Sequence, residues 1–189
     1  MFVKGTHIPI SELHILIDGC LKKDRSCQKK IYDIYSSRMM VLCLRYSKNR
    51  EEAEEVMQDG FLQMYKFIGQ FKNKGSFEGW LRRIMINCAL QRYRGKSDQD
   101  YQVSLNEDHY LLFAEFDLDN RLYEKELIRM IQALPPACRM VFNLYVFEGM
   151  KHREIANLLN VTEGTSKSNL YDARSMLKKQ LALELKIAR

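Results

Sequence analysis

Residues 151–174 read KHREIANLLNVTEGTSKSNLYDAR, and the fold is decided by their spacing. Ile155, Ala156, Leu159 and Val161 set the packing of a short helix, and only Asn160 to Thr162 separate it from a second one. Thr162 is placed to cap that second helix, whose inward positions are Leu170, Ala173 and Leu177. This is helix-turn-helix spacing, in which a residue as small as Ala156 lets the two helices cross closely. The outer face of the second helix carries Thr165, Lys167, Ser168, Tyr171, Asp172, Arg174 and Lys178. Lysine and arginine suit phosphates, while serine, threonine and arginine can read base edges in a major groove. Any helical hairpin with a short turn shares the bare pattern, so its surroundings decide what it means.

Upstream, Leu122, Leu127, Met130 or Ile131, and Leu134 recur at helical spacing and run into Pro135 and Pro136. Paired prolines stop one helix and start another, and Gly149 ends the one bearing Met140, Val141, Leu144 and Tyr145. The N-terminal half is helical as well. Ser11 is positioned to cap a helix through about Lys22, and Ile31, Ile34, Tyr35, Met39 and Leu42 form a stripe after it. Asn49 with Glu52 resembles a capping box for a helix running to Phe71. Gly60 inside that helix costs about 1 kcal/mol relative to alanine, which points to close helix packing. Lys72 to Gly75 break the pattern, and Ser76 caps a last helix with Trp80, Leu81, Ile84, Cys88 and Leu90 on one side and Arg82, Arg83, Arg92, Arg94 and Lys96 on others.

Charge divides the chain. Residues 1–97 carry a net +8, residues 98–117 hold six carboxylates and no Lys or Arg, and residues 118–189 carry +4, for a total of +6. The expected architecture is all-α: two small helical domains, 1–97 and 118–189, joined by an acidic linker, 98–117, with the helix-turn-helix in the second. Tyr110, Leu111, Leu112, Phe113 and Phe116 give the linker apolar groups with which to grip a surface. Five scattered cysteines without a CxxC pair read as reduced thiols, and no metal site or cofactor is expected. No apolar run approaches a membrane span, so a cytoplasmic protein without stable membrane insertion is expected.

Leu134, Pro135, Pro136, Arg139, Val141, Phe142, Leu144, Glu148, Gly149, Glu154, Ile155, Ala156, Leu159, Gly164, Thr165, Lys167, Ser168, Leu170, Ala173 and Arg174 resemble the promoter-binding C-terminal domain of bacterial sigma factors of the extracytoplasmic-function group. Ala53, Glu54, Glu55, Val56, Gln58, Asp59, Phe61 and Leu62, followed by Phe77, Trp80, Leu81, Ile84 and Asn87, are similar to that group's N-terminal domain. Both blocks match, in the right order and at the right separation.

The resemblance implies a specificity subunit without enzymatic activity, with core RNA polymerase, promoter DNA and an anti-sigma factor as partners. It assigns Glu55, Gln58, Asp59 and Leu62 to a coiled-coil clamp of the polymerase. It assigns Lys72, Lys74, Ser76, Phe77 and Asn87 to the melted minus-ten region, with Arg83, Arg92 and Arg94 on the backbone. Aromatic rings, polar groups and flanking cations suit single-stranded DNA in general. For Trp80 a plain core role is expected instead. The helix-turn-helix face is assigned to the minus-thirty-five element, and the acidic linker to the polymerase active centre and RNA exit path. The family usually has an apolar residue at Ser166, basic ones at Asn169 and Asp172, and an aspartate at Gln91; Asp172 near DNA would repel phosphate or accept from a cytosine amino group, which leaves the minus-thirty-five preference open. The alternative is a stand-alone helix-turn-helix repressor or activator, which gives the first block's clamp-binding and base-capturing groups no purpose. Leu90 occupies the glycine position of the phosphate-loop-like run ending at Ser97, and His7, His14, His109 and His152 fall in no catalytic spacing.

Overall fold

The computed structural model describes residues 8–95 and 121–187. Four helices come from the first block: α1 (Ile10–Leu21), α2 (Arg25–Tyr46), α3 (Arg50–Phe67) and α4 (Phe77–Arg94). Four come from the second: α5 (Arg121–Gln132), α6 (Pro136–Val146), α7 (His152–Leu159) and α8 (Glu163–Ile187). No strand occurs among the described residues.

Caps place most of the boundaries. Asn49 accepts the Glu52 N–H at 2.9 Å at the start of α3, Ser76 accepts the Gly79 N–H at 3.0 Å at α4, and Thr162 accepts the Thr165 N–H at 3.0 Å at α8. The Glu52 carboxylate returns to the Lys48 N–H, one residue before the expected capping-box partner. Asn160 closes α7 in the left-handed region at φ 55°, which asparagine tolerates, and Gly95 closes α4 at φ 66°. Two expectations shift. Pro9 rather than Ser11 precedes α1, with no side-chain cap, and α3 stops at Phe67 because the chain tightens into a 3-10 turn over Ile68–Gln70.

In the first group α2 packs against α1, α3 and α4, with Ile31, Met39, Leu42, Met64, Leu81, Ile84 and Met85 buried between them. Gly60 marks the close approach of α3 and α4: a β-carbon there would overlap Met85 Sδ and force that side chain to move. In the second group Ile131, Leu144, Ile155 and Ala173 form the core beneath the helix-turn-helix.

The two groups then pack on each other, a feature the sequence patterns did not announce. The last carbonyls of a helix lack intrahelical donors, and side-chain amides from the second group supply them to α2: Gln132 Nε2 donates to the Leu44 carbonyl at 3.1 Å and Asn143 Nδ2 to the Arg45 carbonyl at 2.9 Å. The Arg94 guanidinium returns the favour at α7, donating to the Leu158 carbonyl. Beside these caps, Glu148 accepts from Arg82 at 3.4 and 3.5 Å and from the Tyr46 hydroxyl at 3.4 Å, while the Arg45 guanidinium lies 3.9 Å from the centre of the Phe147 ring. Burial pulls the Arg45 pKa down, and burial beside Glu148 pushes that of Tyr46 well up. Arg82, expected on an outer side of α4, is therefore a seam residue. The acidic segment 98–117 and the boundaries near Ser97 and Leu118 lie outside the described residues.

Candidate nucleic-acid and polymerase interfaces

Three stripes of side chains form the candidate surfaces. On α3, Glu55, Gln58, Asp59 and Leu62 are spaced i, i+3, i+4 and i+7, share one face, and are all exposed. Leu62 is 60% exposed, an apolar group of the kind that polymer interfaces surround with polar ones. Glu55 pairs with Arg92 of α4, whose Nε also lies 3.7 Å from Glu52.

On α4 the face is set by Trp80, Arg83, Asn87, Gln91 and Arg94, again at steps of three and four. Lys72, Lys74 and Ser76 lie exposed in the loop that feeds it. Ser76 is also the helix cap, so its hydroxyl oxygen already accepts a backbone hydrogen bond. From Ser76 to Asn87 is eleven residues, about 16 Å along the axis. Loop and Asn87 therefore do not converge on one small pocket; they follow a line with the length of several nucleotides. The side-chain nitrogen of Asn87 is buried and has no hydrogen-bond partner, an orphan donor on this face.

Phe77 is the correction. It is 2% exposed, with its ring 5.4 Å from Tyr35, 5.3 Å from Phe71 and 5.6 Å from Trp80 between centroids. A ring held on three sides by aromatic neighbours is a core side chain and not a stacking platform for a base. Trp80, expected to be core, is only partly buried and packs on Phe71 and Phe77 at one end of the stripe. Both residues lie next to the same loop and three positions apart, about 60° around the helix, so local pattern does not tell which of them is fully enclosed.

On α8, Lys167, Tyr171, Arg174 and Lys178 make one exposed stripe, with Thr165, Ser168 and the half-buried Asp172 beside it. Tyr171 is 75% exposed, with no core contact to account for it. Lys167 faces Glu163 at 3.9 Å and the Arg174 guanidinium lies 5.5 Å from the Tyr145 ring centre, both weak ties. The unusual residues of this helix have local reasons. Ser166 is fully buried and shares a 2.9 Å hydrogen bond with His152 Nδ1, whose ring stacks on Tyr145. Asn169 accepts from the Cys138 thiol at 3.7 Å, so it too serves the domain interior. Burial and the charge of Asp172 push that thiol's pKa up.

Two models of one family match these same segments: sigma-70 region 2 over residues 31–99 and sigma-70 region 4 over residues 124–177. Together they cover well over half of the chain. An RNA polymerase sigma-H factor of Pseudomonas aeruginosa is 27% identical over 81% of this chain and 87% of its own length. The ECF RNA polymerase sigma factor SigW of Bacillus subtilis is 29% identical over 85% of this chain and 91% of its own. Among solved structures, the sigma factor RpoE in complex with the anti-sigma factor NepR from Bartonella quintana overlaps at a TM-score of 0.43 and 20% identity, covering 91% of this chain and 95% of that one. The chain belongs to the sigma-70 family, in the extracytoplasmic-function group. It is a sigma factor, a subunit that directs RNA polymerase to promoters. The stand-alone regulator is not favoured.

Proposed function

We propose that this sigma factor docks on core RNA polymerase through α3 and reads its promoters in two places, the minus-ten region through α4 and its loop and the minus-thirty-five element through α8. The observation that carries the reading is the order of the two family matches on one chain, region 2 before region 4. Glu55, Gln58, Asp59 and Leu62 meet the clamp of the polymerase. Lys72, Lys74 and Ser76 meet the melted strand, Asn87 offers its spare donor to a base or sugar, and Arg83, Arg92 and Arg94 follow the backbone. Phe77 acts indirectly, by holding Phe71 and Trp80 in place. Lys167, Arg174 and Lys178 take phosphates, and Thr165, Ser168, Tyr171 and Asp172 face base edges, where Asp172 accepts from a cytosine amino group.

Domain borders near Ser97 and Leu118, and a linker along the RNA exit path, belong to the same proposal. So do a cytoplasmic site of action and an anti-sigma factor as inhibitor. Bond chemistry stays with the polymerase. The test adds the purified chain to bacterial core RNA polymerase on fragmented genomic DNA and maps transcript starts, with each component alone as control. Discrete starts that need both components and share two upstream motifs are expected. Absence of starts, with duplex sites protected by the chain alone, would overturn the reading in favour of a stand-alone regulator.

A further inference from the structure

Between the two helical groups lies a cleft of about 310 Å³, and its polar lining is cationic and short of partners. Arg139 of α6 is 4% exposed, yet its Nε and Nη1 make no hydrogen bond; Ser47, just past α2, is 2% exposed and its hydroxyl makes none either. Buried polar groups are nearly always satisfied, so two orphans on one cavity wall mark a place where something else binds. Lys48 and Arg92 line the same cleft.

The carboxylate present, Glu52, is already occupied: it accepts the Lys48 N–H at 2.7 Å and faces Arg92 at 3.7 Å. Burial lowers the Arg139 pKa and Glu52 opposes that only as the lesser cause, while a guanidinium remains charged in a protein. Pro136 brings the N-terminal end of α6 to the wall, and that helix has no side-chain cap, so its positive end is unanswered.

We propose that this cleft binds a small phosphate-bearing anion, held by the guanidinium of Arg139, the hydroxyl of Ser47 and the ammonium of Lys48. A phosphate group offers several acceptor oxygens at once, which suits three separate donor side chains better than a carboxylate does. The volume lies at the lower end of small-molecule sites, about 300–1,000 Å³, and admits a pyrophosphate-sized ligand. Ser47 and Lys48 belong to the first helical group and Arg139 to the second, so the anion binds only while the groups are packed together. Binding therefore stabilises the closed arrangement at the expense of any state in which they separate. Weaker association with polymerase is the consequence, and that clause alone rests on the proposed function.

The experiment titrates inorganic pyrophosphate into the full chain by calorimetry, in magnesium-free buffer with ionic strength held constant by chloride. One-to-one saturable binding is expected, weakened at least tenfold by Arg139→Gln and by Lys48→Glu. Lys48 is exposed, so its variant decides the matter should Arg139→Gln fail to fold. No saturable binding, or undiminished affinity in Lys48→Glu, overturns the site. A second arm measures affinity for core polymerase with and without pyrophosphate, also without magnesium. A ratio that falls for the wild type and not for Lys48→Glu supports the linkage, and a ratio unchanged in both overturns it. Failure to bind polymerase without any anion counts against the sigma reading and leaves the calorimetric result standing.

Discussion

The α4 stripe and the α8 stripe are both polar helix faces assigned to DNA, but they are presented differently. On α8 the described side chains project outward, and the charged ones make weak local contacts such as Lys167 to Glu163 and Arg174 to the Tyr145 ring. On α4 the C-terminal end is tied down: Arg92 pairs with Glu52 and Glu55, and Arg94 caps the Leu158 carbonyl of the other group. One proposed recognition face is open in the isolated chain, and the other is partly used to hold the chain closed. Glu55 makes the point sharper, because an assigned polymerase contact and an assigned DNA contact are here each other's partner. Contact with polymerase or DNA must then break the Glu55–Arg92 pair inside the first group, and use of Arg94 on DNA competes with closure of the seam.

The largest effect tests the α4 side at its root. Phe77→Ala removes a buried ring from an aromatic cluster and should cost about 3–5 kcal/mol, lowering the melting temperature by roughly 10 °C in a chain of this size. Polymerase binding and open-complex formation should fall together, as a folding defect requires. Asn87→Ala deletes an orphan donor, so melting should barely move while open complexes, followed by permanganate footprinting, decrease more than polymerase binding. Equal losses in both assays for Asn87→Ala would return that residue to the scaffold.

Next in size is the seam. Glu148→Gln leaves Arg82 and Arg45 close together without their carboxylate and should cost about 1–3 kcal/mol. Solution scattering should show a more extended chain, and affinity for minus-thirty-five duplex DNA should stay within twofold, since the described hydrogen bonds of Glu148 go to Tyr46 and Arg82 and not to α8. A chain as compact and as stable as wild type would show that the seam does not depend on this pair.

Alkaline pH separates the groups more gently. Burial pushes the Cys43 thiol up to about 12 and that of Cys20 to about 11, both in the first group, against an ordinary value of 9.0. Because the folded values are raised, the stabilisation is complete below pH 9 and is lost as pH climbs toward 12. At pH 10 Cys43 alone accounts for a loss on the order of 1 kcal/mol. Cys43→Ala should flatten the fall in melting temperature between pH 8 and 10, and an unchanged slope would refute the assignment.

Much of this was readable in the residues. Caps at Asn49, Ser76 and Thr162, the proline pair and the stripe periods locate the helices because those signals act over three or four residues. The exposed faces of α3 and α8 follow from the same periods. The seam was not readable, since Gln132, Asn143, Glu148 and Arg94 are ordinary surface residue types until another helix end arrives to use them. Phe77 turned inward for a related reason: local pattern tells that an aromatic lies near a loop, and only packing tells which way it turns.

The smallest change in stability should accompany a large change in function, and here the comparison can be tested most cleanly. Asp59→Arg and Lys167→Glu each alter one exposed side chain, so melting should move by no more than about 0.5 kcal/mol in either variant. Their effects should then divide by surface. Asp59→Arg should weaken core polymerase binding about tenfold and leave the affinity of the free chain for minus-thirty-five duplex unchanged. Lys167→Glu should do the reverse, and the salt dependence of its DNA binding should drop by roughly one phosphate contact. Reversing the sign at a rim position changes encounter and screening more than packing, so both defects should shrink as ionic strength rises. Two variants that lost both activities alike would mean that the surfaces act as one, and the contrast between an open α8 and a tethered α4 would then carry no functional weight.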